Sequence, residues 1–83
     1  MRMDFITFRS ITPAQRGQRV LQAAGIVCAL QRTPKQMAQQ GCGYCLRLWP
    51  GDVARAVALL REQGVPMSKV YAGYESGPQE LEV

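Results

Sequence analysis

Two segments of this chain end in nearly the same way, VLQAAGIV at 20–27 and LLREQGVP at 59–66, about forty residues apart. Each closes an apolar stripe of helical period with a glycine, the residue that most readily takes the conformation needed just past a helix end. A strand-like segment precedes each helix and another follows it. A duplicated strand-helix-strand unit leaves few folds open to 83 residues, because crossovers within one sheet are short and right-handed.

The elements can be placed in order. DFITFR, 4–9, predicts a strand with Ile6 and Phe8 on one face and Phe5, Thr7 and Arg9 on the other. Thr12 is the expected N-cap of the first helix and Pro13 suits its first position, where no N–H is needed. Ala14, Gly17, Leu21 and Ala24 fall at helical spacing, widened by Val20; Gly17 there predicts close approach to a sheet. IVCALQR, 26–32, is a second strand. TPKQMAQQGCG, 33–43, is a long connection with room for one helical turn after Thr33. YCLRLW, 44–49, is a third strand, PGDVARAVALLREQG a second helix, and SKVYAGY, 68–74, a fourth strand. The order β-α-β-β-α-β predicts an α+β, ferredoxin-like fold, with a four-stranded antiparallel sheet in the order 4-1-3-2 and both helices on one face. The first and third strands are expected side by side and parallel at its centre. Residues 1–72 then form a single domain, and the polar, Gly-Pro-containing stretch 73–83 is expected to be a flexible tail.

Charge separates body from tail. The chain carries ten bases and six acids, but Glu75, Glu80 and Glu82 belong to the tail, so the body holds ten against three. A basic body favours anionic partners. Nucleic acid is disfavoured, because the bases are scattered and do not share one exposed element with aromatic residues. No run approaches the roughly 20 apolar residues of a membrane span, and MRMDFITF lacks the features of a signal peptide. The expected compartment is the cytoplasm, where thiols stay reduced.

In that compartment GCGYC, 41–45, reads as chemistry or metal before structural disulfide. Cys42 lies between Gly41 and Gly43 at the end of the connection, and is expected to be a reachable thiol. Cys45 falls on the parity of Arg47 and Trp49, opposite Leu46 and Leu48. It is therefore expected on an uncovered sheet face near Arg47 and Arg9, whose charges favour a thiolate. The loop is expected at the edge opposite both helix starts, so Cys42 gains nothing from a helix N-terminus. Cys28 shares the parity of Ile26 and Leu30 and reads as a small core residue. A metal site would need two pairs brought together in a dimer, since the chain has no histidine. Thiol chemistry, with Cys42 as nucleophile and Cys45 as partner, stands beside a reading in which both cysteines are merely tolerated at a turn. Thr33 and Pro34 either begin an ordinary turn or form one wall around Cys42.

FITFRSITPAQR (5–16), AAGI (23–26), RTPKQMAQQGCGYCLRL (32–48) and GVPMSKVY (64–71) resemble a family of small bacterial and archaeal selenium/sulfur carrier-like proteins, formerly a domain of unknown function. The T-P…C-G…L-R block is the most specific part. The resemblance implies that Cys42, matching the C-G cysteine, bears the sulfur or selenium. Cys45 matches a less regular position. The implied function is a carrier holding a persulfide or selenopersulfide and passing it to an enzyme, with donor and acceptor proteins as partners and no cofactor. The alternative is a binding or regulatory module that pairs through the open sheet face, as a homodimer or with another protein. An enzyme is disfavoured, since Asp4, Asp52 and Glu62 are not expected to converge on the cysteine loop.

Overall fold

The computed structural model describes residues 2–37 and 43–82. Strand β1 (Met3–Phe8) leads into helix α1 (Ile11–Ala23), then strand β2 (Cys28–Arg32) and a 3-10 turn at Lys35–Met37. Strand β3 (Tyr44–Leu48) is followed by a second 3-10 turn at Pro50–Asp52, helix α2 (Val53–Glu62), and strands β4 (Val70–Tyr74) and β5 (Gly77–Leu81). The fold is α+β, with two helices and one antiparallel sheet of order β2-β3-β1-β4-β5.

The sheet has five strands, where the sequence predicts four. The fifth comes from the stretch expected to be a loose tail. Gly77–Leu81 pairs with β4 from Tyr74↔Gly77 to Val70↔Leu81. The two-residue connection Glu75-Ser76 makes this a tight hairpin, closed by Gly77 at φ 127°, a value side chains resist. Polarity misled the expectation: β5 is an edge strand, and an edge strand tolerates Gln79 and Glu80 facing water.

A second correction concerns direction. β1 and β3 are neighbours, as expected, but antiparallel, in register Asp4↔Leu48 to Phe8↔Tyr44. The crossover through α1 returns β2 parallel to β1 with a gap between them. The reversal after β2 then places β3 in that gap, antiparallel to both. So the end of β1, the start of β3 and the start of α1 share one edge of the sheet, and α2 starts at the other. The sequence reading put both helix starts away from the cysteine loop; for α1 the structure reverses this.

Ile6, Phe8, Leu46, Leu48 and Val70 point from the sheet into a core completed by Ala14, Leu21, Val53, Ala56, Val57 and Leu60 of the helices. These are the stripes the helical period predicts. At Gly17 a Cβ would stand 3.2 Å from Phe8 Cζ and 3.3 Å from Leu60 Cδ2, so the missing side chain lets α1 lie close to the sheet. α1 begins earlier than expected, with Ser10 as an extended N-cap whose side chain makes no capping bond. Pro13 sits at the third helical position, where the N–H is still unused. Both helices end before glycines with positive φ, Gly25 at 78° and Gly64 at 68°.

The internal repeat has a structural counterpart. Arg16 Nη2 on α1 donates to the Gln63 carbonyl at the end of α2, 2.9 Å away. Arg55 Nη2 on α2 donates to the Ala24 carbonyl at the end of α1, also at 2.9 Å. Each helix supplies a cation to the negative end of the other.

Candidate functional site

Cys42 and Gly41, the centre of the predicted site, lie outside the described residues. The stem on which they are carried is described. The Thr33 N–H donates to the Gly43 carbonyl at 3.1 Å, and the Gly43 N–H donates to the Phe8 carbonyl at 3.2 Å. These bonds close the two ends of the connection on each other and fasten them to the end of β1. Gly43 does not have a positive φ, and a Cβ there would meet only the Arg9 carbonyl at an ordinary 3.6 Å. It therefore does not serve here as a conformational hinge.

Cys45 departs most from expectation. Its parity puts it on the sheet face away from the helices, paired with Thr7 of β1 and Gln31 of β2, yet it is 0% exposed. Thr7 beside it is also fully buried, its hydroxyl bonded to the backbone of Lys69. Met37 is buried too, yet stands outside the core beneath the helices, and its 3-10 turn lies against β5. The described start of the connection, residues 33–37, thus lies over part of a face that would otherwise be open, and an inventory of strands does not reveal that cover.

Burial governs the thiol. Removal from water pushes Cys45 up to about 11, against an ordinary value of 9.0. The Thr33 and Gln31 side chains and the Arg47 charge pull it down without overcoming burial. The Thr33 hydroxyl, buried beside the thiol, has no other hydrogen-bond partner among the described residues. Arg47 is exposed on the outer face, between Phe5 and Ala29 in the register, two residues from Cys45 and away from the loop stem. Arg47 lowers the thiol as expected, but burial outweighs it and the net shift is upward.

This has a measurable consequence. Cys45 stays protonated in the folded protein well above the pH at which the unfolded chain loses the proton. Its contribution to stability is fully present below pH 9.0 and is lost as pH climbs toward the folded value of about 11. The loss approaches about 2–3 kcal/mol. Urea melts at pH 8 and pH 11 should show this alkaline loss in the wild type and a smaller one in Cys45→Ala; equal losses would contradict it.

The remaining predicted residues separate. Arg9 is exposed at the loop edge, just past β1. Thr33 and Pro34 are half-buried at the other end of the stem. Cys28 is half-buried against the core, with its thiol also raised by burial. Asp4 is buried at the far end of β1 against Arg2, at 3.0 Å. Trp49 and Val27 are exposed at that far edge. Among the described residues no cluster of three or more metal-ligating side chains occurs, and no helix is long and apolar enough to cross a membrane.

Fold and site define a small α+β protein that carries a cysteine-bearing loop, clamped at both ends, on one edge of its sheet. A family model described as "Putative Se/S carrier protein-like" matches residues 4–72. The chain belongs to this family. No curated protein and no solved structure matches it.

Proposed function

We infer that this protein carries sulfur or selenium as a persulfide or selenopersulfide on Cys42 and hands it to a partner enzyme. The observation that carries the reading is the family match over residues 4–72, whose most specific block contains Cys42. The burial of Cys45 supports a one-thiol mechanism. A fully covered thiol raised to about 11 is a poor nucleophile and a poor resolving partner. We read the fold as ferredoxin-like with an added fifth strand, and the setting as a reducing compartment such as the cytoplasm.

Loading is a sulfane transfer. The Cys42 thiolate attacks the terminal sulfur of a donor persulfide. A new S–S bond forms on Cys42, the donor's S–S bond breaks, and the donor leaves as a thiolate. The proton on the terminal sulfur travels with it, so no outside oxidant or reductant is needed. Delivery is the same step in reverse, onto an acceptor. We take Arg9, exposed just past β1, as the candidate cation for the anionic terminal atom, in preference to Arg47.

Intact-mass spectrometry tests this after incubation with inorganic polysulfide, with a cysteine desulfurase plus cysteine, and with the same enzyme plus selenocysteine, which supplies selenium as the donor's own selenopersulfide. One added sulfur or selenium, removed by dithiothreitol, is expected in the wild type and in Cys45→Ser. It should be absent in Cys42→Ser. Loading that survives Cys42→Ser would sink the assignment. No loading in any arm would favour the binding-module alternative, for which Trp49 is an exposed apolar residue, as are Ile11, Val27 and Tyr74.

A further inference from the structure

The sheet edge that holds the loop stem also holds a cavity of about 490 Å³, between the start of α1 and the residues leading into β4. Arg9, Ser10, Pro13, Met67, Ser68 and Lys69 line it. Its polar wall is built for an anion. Arg9 is exposed and has no acidic partner among the described residues. The Ser10 hydroxyl makes no capping bond, and no acidic residue occupies the first turn of α1. The positive end of a 13-residue helix is therefore left without a countercharge of its own. Lys69 is held at the wall by Glu80 of β5, at 3.1 Å. Pro13 and Met67 give the cavity an apolar side that a lone inorganic ion would not use. Beyond the rim, Arg32 and Lys35 are exposed at the other end of the loop stem. The acids on and beside β5, Glu80 and Glu82, lie on the Lys69 side of this edge, where Glu80 is taken up by Lys69, and neither lines the cavity beside Arg9.

We propose that this edge is the docking surface for an acidic segment of a partner protein, one carboxylate entering the cavity beside Arg9 and Ser10 while Arg32 and Lys35 meet the segment's other acids. The inference rests on the carrier reading, in which a partner must approach the same edge. A volume of about 490 Å³ exceeds the needs of one ion and suits a side chain with its stem. The methylenes of a glutamate would lie on Pro13 and Met67, and its carboxylate would take the guanidinium, the hydroxyl and the first-turn amides.

The probe is acetylated, amidated hexaglutamate titrated into the full ¹⁵N-labelled chain. Backbone shifts should centre on Ser10, Ile11, Thr12, Ser68 and Lys69. Arg9→Glu should weaken binding about tenfold, because one attraction is lost and one repulsion added. Arg19→Glu, an equal charge reversal on an exposed residue outside the cavity, should change it less than twofold. Shifts centred elsewhere, or equal losses in both variants, overturn the inference. So does tighter binding of inorganic phosphate or adenosine monophosphate, which would make the cavity a small-anion site. Loading of Cys42 from inorganic polysulfide needs no docking partner. Loading without peptide binding at this edge overturns the docking inference and leaves the carrier reading standing; binding without loading does the reverse.

Discussion

Native protein treated with iodoacetamide at pH 8 will leave Cys45 unmodified, whereas the same treatment in denaturant will label it. A thiol with the ordinary value of 9.0 is about one-tenth ionised at pH 8, and one raised to about 11 is about one-thousandth ionised. The reactive thiolate is thus about a hundredfold scarcer before any steric protection is counted. Full burial adds that protection. Peptide mapping by mass spectrometry reads the outcome site by site, and Cys42 is the cysteine expected to take the label in the native state. Rapid native labelling of Cys45 would mean that it is not covered in solution, and the argument for a single working thiol would fall.

Gly73→Ala will destabilise the protein by about 2–3 kcal/mol, within the range seen when extra atoms are forced into a packed site. In an ordinary strand the same change is mildly favourable, since alanine has less freedom to lose on folding. Here a Cβ would run into the backbone carbonyl of Met3 and stand 2.7 Å from Cε1 of the Phe5 ring. The ring can turn aside. The carbonyl cannot, because Met3 is paired with Gly73 in the ladder joining β1 to β4. The clash must therefore be relieved by moving strands apart. Urea denaturation of the two proteins decides the sign, and a stabilised variant would contradict the close approach of these strands.

The sequence allowed the frame to be read where hydrophobic period and glycine agree. Ala14, Leu21, Val53, Val57 and Leu60 announce their helices, and Gly17 announces its contact with the sheet. Three things escaped it. β5 did so because an edge strand has no buried face to impose alternation on Gln79 and Glu80. The direction of β3 follows from where the first crossover leaves a gap, which is a property of the whole topology. The burial of Cys45 depends on a connection folding over a face that strand parity alone leaves open. The exchange between Arg16 and Arg55 was equally invisible, since these arginines reach carbonyls 47 and 31 residues away, each at the end of the other helix. For the site itself, the sequence singled out Cys42 and Cys45 with Gly41, Gly43, Thr33, Pro34, Arg47 and Arg9; the structure buries Cys45 and adds the helix start and the cavity beside Arg9.

The two backbone bonds at Gly43 also set the mechanical character of any transfer. Cys42 is one peptide from that anchored residue, and consecutive Cα atoms stand about 3.8 Å apart. On the carrier reading, the cargo would be bound within one peptide of an anchored residue, unlike a group on an extended arm that sweeps between distant stations. A donor and an acceptor would then each have to come to the domain, and so short a tether would not carry the cargo to them.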